Sequence, residues 1–446
     1  MRTLFSLSLL VGIVACDAHS PLTVKDPDVP SGPAVNNASF LPYLRVGAIS
    51  NFAVAYVGAA DQSTNAHEGQ ANLVGLFTDE LTDRETFNTR QILNFRDAQP
   101  NGNNSIDGIF IDLSYARTQL DVVARKYAQL APKDDGRAEM LALSAFTYIL
   151  FAENYCSGVP FSTENDDGSI THGPPLTTNN MLDTAIAKLK AAQTIAAGNT
   201  STDPLADTLI FLGDVGIGRA LLDEGNAADA AAAVANVPAS FSYQMLESTN
   251  TTRQENGVWN YTGPTSQAFT FFSVADRQGG VGLPFATALD PRVPSFVNGT
   301  GERGTGPFYS QTKYPAPDSP MPVADYREAQ LITAEAKLVS GDYAGAKAIL
   351  DALRATVGLG PLAAAATPHD QIIQIITERA YWQYLTAHRL GDWRRVARPP
   401  YSQAPYNVQI SDVFPTGPGY FGIYELPVPA NVSQNPLYHP CSTGQP

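Results

Sequence analysis

The sequence predicts an all-α protein, a scaffold of helical hairpins broken by one long loop-rich insertion. Three observations carry this reading. Apolar residues three and four apart recur in one stretch after another, strand-like alternation is almost absent, and two distant helix-turn-helix segments repeat each other.

Along the chain the helical spacing covers 42–57, 106–130, 137–155, 181–197, 205–222, 227–235, 323–339, 343–356 and 368–390. In 181–197, for example, Leu182, Ala185, Ile186, Leu189 and Ala192 form one stripe, and Lys188 and Lys190 fall off it. The repeat aligns Ala220 to Ala230 with Ala336 to Ala346 without gaps. Each copy reads as helix, glycine C-cap (Gly225, Gly341), Asn or Asp N-cap (Asn226, Asp342) and helix. Small Ala residues at matched positions let the helices approach closely, as in a tetratricopeptide-like hairpin. The copies lie 116 residues apart, so they are hairpins within one fold and not a tandem array. Two unrelated hairpins with similar turns are the alternative.

Between the hairpins, 238–322 is rich in Gly, Pro, Asn and aromatic residues and has no helix-length periodic stretch. Insertions of this kind on a helical scaffold are where binding residues tend to sit. A second irregular stretch, 398–440, closes the chain.

Composition narrows the function classes. The 446 residues are 44% hydrophobic, enough for a large core, which excludes disorder as the main state. A net charge of −15 repels a phosphate backbone, so nucleic acid is not an expected partner. The 35 Gly and 33 Pro exclude a compact coiled coil.

Residues 1–15 read as a lipoprotein signal peptide: Arg2, then an apolar run from Leu4 to Ala15 that is too short to span a bilayer. Ile13-Val14-Ala15-Cys16 looks like a bacterial lipobox, which makes Cys16 the acylated first residue of the mature chain. Plain secretory cleavage after Ala15 is the alternative. Residues 16–40 then form a flexible tether, and 41–446 a single domain. Cys156 and Cys441 either pair in an oxidising compartment or stand as separate buried thiols.

No catalytic constellation is present: the sequence has no GxSxG, GxxxxGK[ST], GxGxxG after a strand, or HExxH. Its histidines are isolated. The cluster Asp79, Glu80, Asp83, Glu85 contains Arg84 and reads as a solvated turn, and the stretch around Asp166-Asp167-Gly168 lacks the terminal Glu of a calcium loop, with Pro174 in that place. Neither an enzyme nor a cofactor or metal is expected.

Several segments, in order, resemble the SusD/RagB family of outer-membrane nutrient-binding lipoproteins. They are the lipobox; Pro322-Val323 followed by Glu328-Ala329-Gln330-Leu331-Ile332 and Ala334-Glu335-Ala336; Glu378-Arg379 with Arg389, Asp392 and Arg394-Arg395; and Leu426-Pro427-Val428-Pro429 with Asn435-Pro436. Thr78-Asp79-Glu80 and Asp290-Pro291-Arg292 are weaker matches, and the family's C-terminal region spans about 285–446. Trp382 and Thr386 stand where many members carry Glu, and Phe110 stands where an early helix often carries a Trp that some relatives use for ligands. The charges Arg389, Asp392 and Arg395, three apart on a helix, are expected to pair and fasten its end.

The resemblance implies a surface protein, lipid-anchored in the outer membrane, that captures an oligomeric nutrient such as a glycan and hands it to a SusC-type TonB-dependent transporter. Within the insertion, Trp259 and Tyr261, two apart in an extended loop, would leave the same face as a stacking platform; Asn256 and Asn260 would supply hydrogen bonds, and Tyr309 and Tyr314 an edge. The alternative is that these rings fill a local core. The competing functions are a secreted tetratricopeptide-like adaptor that binds only protein and, third, an exported glycoside hydrolase.

Overall fold

The computed structural model describes residues 36–61, 67–97, 103–200, 203–263, 271–304, 306–414 and 423–438. The signal peptide, Cys16, most of the tether and Cys441 lie outside these residues. Cys156 is disulfide-bonded.

The helices are α1 (Leu41–Tyr56), α2 (Gly69–Phe77), α3 (Asn88–Asn94), α4 (Asn104–Leu130), α5 (Asp135–Asn154), α6 (Thr178–Ala197), α7 (Pro204–Asp223), α8 (Ala227–Ala233), α9 (Gly257–Thr262), α10 (Tyr326–Val339), α11 (Tyr343–Ala355), α12 (Pro368–Trp382), α13 (Arg389–Val396) and α14 (Ile410–Val413). The strands are β1 (Leu81–Asp83), β2 (Val159–Pro160), β3 (Thr163–Glu164), β4 (Ile170–Thr171), β5 (Pro175–Leu176), β6 (Ser242–Met245), β7 (Phe272–Val274), β8 (Ser295–Thr300), β9 (Pro307–Gln311) and β10 (Met321–Asp325). The described strands form only antiparallel pairs, β1 with β7, β2 with β5, β3 with β4, β6 with β10 and β8 with β9. The protein is therefore α-helical with small ribbons at its loops, as the spacing predicts.

Helix starts follow side-chain caps. Asn103 accepts from the N–H groups of Ser105 and Ile106, Asp134 from Gly136, Thr177 from Asn180, Asp203 from Leu205 and Thr367 from Asp370. Helices α1, α4, α5, α6 and α7 pack in succession, and α10 packs on α7, α8, α11 and α12. Both repeat hairpins form, α7–α8 and α10–α11, and Gly225 and Gly341 take left-handed φ values of 85° and 88° at their turns. Among the described residues no helix is long and apolar enough to cross a membrane.

Three backbones meet at one point of the core. A side chain on Gly69 would come within 2.2 Å of the Gly58 backbone, and one on Gly257 within 2.5 Å of it. Gly58 and Gly69 also hold left-handed φ values of 89° and 74°. No residue with a Cβ fits these positions.

Three expectations are corrected. Residues 323–325 belong to strand β10, and the helix expected from 323 starts at Tyr326, because Asp325 caps the Glu328 N–H at 3.0 Å and β10 pairs with β6. The 368–390 helix ends at Trp382; Leu385 and Ala387 have φ of 55° and 59°, and the Leu385 N–H donates to the Glu80 carboxylate at 2.9 Å. A tertiary hydrogen bond thus replaces a helical one. The cluster 79–85 is no solvated turn: Asp79, Glu80 and Glu85 are fully buried. Arg389 forks onto Asp79 at 2.7 and 2.9 Å, Arg90 binds Glu85 at 2.5 Å, and Arg303 pairs with Asp83.

The C-terminal charges fasten the fold, with one change of partner. Arg395 binds Asp392 at 2.7 Å as expected, and also Glu335 and Asp223. Arg389 reaches Asp79 instead, and Arg379 takes Asp392 at 2.9 Å. Arg394 donates to the carbonyls of Ala152, Glu153 and Tyr155, so it caps the C-terminal end of α5.

Candidate functional site

The expected aromatic platform is not at the surface. Residues 257–262 form the short helix α9, in which positions two apart point about 200° from each other. The Asn256 side chain accepts from the Trp259 N–H at 2.9 Å and donates to the Ser319 carbonyl at 2.7 Å, so it starts the helix and ties it to a neighbouring loop. Tyr261 is fully buried and stacks on Phe272 with ring centroids 5.5 Å apart, and the Arg90 guanidinium lies 5.1 Å from its ring. Trp259 and Tyr314 are buried as well. Asn260 and Tyr309 are half-buried, and the Tyr309 N–H donates to Ser273. Trp259, Tyr261 and Tyr314 therefore belong to the buried interior, and the two-residue spacing that suggests a paired platform in a strand separates the rings in a helix.

An open groove lies elsewhere, along α4. It has a volume of about 410 Å³ and is lined by Phe110, Arg117, Thr118, Phe161, His172 and Asn435, among others, and it continues over Ile111 and Tyr115. Three segments meet there for separate reasons. Phe110, Ser114, Arg117 and Thr118 share one face of α4 by their spacing of four, seven and eight. The 158–176 ribbons are held against α4 by Arg117, which donates to the Ser162 carbonyl at 2.6 Å, and by Arg125, which donates to the Glu164 carbonyl. The C-terminal segment is brought alongside by the Leu426 N–H, which donates to the carbonyl of Asn154, the last residue of α5, at 2.7 Å.

The groove walls combine flat apolar and polar groups. Phe161 stacks on Tyr148 at 4.8 Å and meets Phe151 edge-on at 5.1 Å, and Phe110 meets Phe151 and Tyr155 edge-on, so the aromatic floor is braced by its own packing. The Arg117 guanidinium lies 5.5 Å from the Phe161 ring and pairs with Asp121 at 3.3 Å, which fixes its direction. Tyr115 is 50%, Ile111 41% and Ile170 54% exposed, which leaves an aromatic ring and two aliphatic side chains at the rim. Ser114, Thr118, Ser162, Glu164 and His172 add hydroxyl, carboxylate and imidazole groups that remain partly in solvent. Among the described residues no group of three or more His, Cys, Asp or Glu is placed to hold a metal ion.

No protein-family model matches the sequence, and no curated protein matches it. Solved structures do match. NanU of B. fragilis superposes with a TM-score of 0.65 at 12% identity, covering 94% of this chain and all (100%) of that one. A laminarin-binding SusD-like protein gives 0.61 at 14% identity, covering 91% and 99% of the two chains. The chain has the SusD-like fold. Surface glycan-binding protein A from Bacteroides thetaiotaomicron, solved in complex with laminarihexaose, is similar to this SusD-like chain with a TM-score of 0.60 at 13% identity, over 81% of this chain and 90% of that one.

Of the sequence-predicted residues of this SusD-like chain, Asn256, Trp259 and Tyr261 come together, but as core and cap. The α4 groove was missed as a site. Phe110, singled out in the sequence by the family resemblance, lines the groove.

Proposed function

We propose that this SusD-like protein captures a glycan in the α4 groove and passes it to a SusC-type TonB-dependent transporter. The groove is the observation that carries this reading. Its volume of about 410 Å³ falls in the range of small-ligand sites, and its braced aromatic floor bordered by hydroxyl, carboxylate and imidazole groups suits the apolar C–H faces and equatorial hydroxyls of a sugar. Binding without bond cleavage is the mechanism. The fold shared with proteins whose names record laminarin and laminarihexaose supports the same substrate class. Anchoring through acylated Cys16 keeps the protein beside its membrane partner, and the hairpins α7–α8 and α10–α11 offer a helical face for that partner.

The test is calorimetric titration with laminarihexaose and a panel of other oligosaccharides. At least one should bind, and Tyr115→Ala should weaken it about tenfold or more with an unchanged melting midpoint. A panel that does not bind, or binding indifferent to Tyr115, overturns the groove. Detergent extraction and pull-down test the partner: a TonB-dependent barrel should be recovered, and recovery of the chain alone favours the adaptor reading.

A further inference from the structure

A second cavity lies where α12 ends, beside β10. It has a volume of about 30 Å³, room for roughly two water molecules, and is lined by Lys313, Asp325, Arg327, Trp382, Gln383 and His388, among others. Two of these side chains are orphaned. Gln383 and Trp382 are each only 7% exposed, yet both amide atoms of Gln383 and the indole N–H of Trp382 lack a hydrogen-bond partner among the described residues. A buried polar group without a partner is costly, and here three such atoms belong to residues that line one space.

The charges around that space are unequally committed. Asp325 is held by Arg327 at 2.5 Å and by the Glu328 N–H at 3.0 Å, and Glu328 is held by His388 at 3.2 Å and faces Arg219 at 3.8 Å. Lys313 forms no ion pair among the described residues; its ammonium donates to the Tyr384 carbonyl at 2.6 Å and lies 5.5 Å from the Tyr314 ring. Two ammonium protons, the indole N–H and the amide NH₂ of Gln383 thus remain for an occupant, beside the Gln383 oxygen and the carboxylates of Asp325 and Glu328, which Arg327, His388 and Arg219 already engage. Donors and an ammonium without an ion-pair partner among the described residues, around a two-water volume, match a small planar anion.

We propose that this cavity is a carboxylate-binding subsite, with Lys313 as counter-charge and Trp382 and Gln383 as directional donors. Burial pushes the Lys313 ammonium down to about 7, with Arg327 adding to the effect and Glu80 and Asp325 opposing it. A bound carboxylate would restore the charged form, so binding should weaken as pH rises past that value. The subsite is separate from the α4 groove and stands or falls without it.

The experiment uses the full chain with 5-fluorotryptophan at its three Trp positions. The fluorine signal of Trp382, assigned by its loss in Trp382→Phe, is followed during titration with sodium acetate at constant ionic strength, with sodium chloride as control. A saturable shift that is specific to acetate, at least tenfold weaker in Lys313→Met and in Gln383→Leu, and weaker at pH 9 than at pH 6, is the expected result. A parallel titration with glucuronate separates the two sources of the group: tighter binding than acetate assigns the subsite to an acidic sugar, and weaker binding to a free small acid. A shift that does not saturate, that chloride reproduces, or that both variants retain at wild-type affinity means the cavity holds only water and overturns the proposal.

Discussion

Arg389 and Asp79 form a two-pronged ion pair of 2.7 and 2.9 Å across 310 residues of chain, and both side chains are buried. The pair ties the start of α13 to the turn after α2. Breaking a buried pair leaves one charge stranded, at a cost of about 3–5 kcal/mol. Arg389→Met and Asp79→Leu should therefore each lower the urea midpoint strongly. The double variant, with no stranded charge, should lose less than the sum of the two, and additive losses would show that the pair is not coupled.

Glu80 carries a pH signature of its own. Burial raises its carboxyl to about 8, more than its hydrogen bond from the Leu385 N–H and the nearby Arg389 can offset. The native state thus holds a proton that the unfolded chain releases near 4.5, so stability from this group is full below about 4.5 and declines as pH rises towards 8, by at most about 1.4 kcal/mol per pH unit. Glu80→Gln keeps the acceptor for Leu385 and cannot ionise. Chemical denaturation at pH 5 and pH 8 should show the variant gaining on the wild type at the higher pH; a constant difference would mean Glu80 is ionised throughout.

Trp259 and Tyr115 should behave in opposite ways. Trp259→Ala empties a buried position and should cost about 3–5 kcal/mol of stability, with sugar binding retained by the folded fraction. Tyr115→Ala removes an exposed ring and should leave the thermal midpoint within about a degree while binding falls. Loss of binding in Trp259→Ala at an unchanged midpoint would return the site to the insertion.

The meeting point of Gly58, Gly69 and Gly257 admits no side chain. Gly257→Ala places a methyl group 2.5 Å from the Gly58 backbone and should destabilise the protein by more than about 2 kcal/mol. Gly225→Ala, where a Cβ meets nothing within 4 Å, strains only the left-handed turn and should cost about 1 kcal/mol. Thermal unfolding of the two variants compares close approach with backbone strain.

The proposed lipid anchor is tested by fractionation. Cys16→Ser should move the protein from the membrane to a soluble fraction, because acyl chains contribute roughly 0.8 kcal/mol of membrane affinity per buried methylene. Equal fractionation of wild type and variant, with an unmodified mature chain by mass spectrometry, would falsify the lipoprotein reading.

The sequence by itself determined the helical class, because apolar spacing of three and four is a local property that each helix carries with it. Ranges such as 181–197 and 343–356 agree with α6 and α11 to within three residues for that reason. It also determined both hairpin turns, since glycine at a left-handed position acts within a few residues; of the two expected caps, Asp342 accepts from the Gly345 N–H, whereas the Asn226 side chain donates to Glu224 and does not cap α8. Only the tertiary structure decided where charges and rings ended up. The acidic stretch 79–85 looks solvated until Arg389 and Arg303 arrive from distant segments to pair with Asp79 and Asp83, Arg90 turns back onto Glu85, and Glu80 is buried. Trp259 and Tyr261 look like a platform until Asn256 nucleates a helix and Phe272 and Arg90 close over Tyr261. The groove on α4 needs the 158–176 ribbons and the C-terminal segment at the same place, and no local pattern records that meeting. Burial and pairing are properties of neighbours far apart in the chain, so they are settled only when the chain has folded.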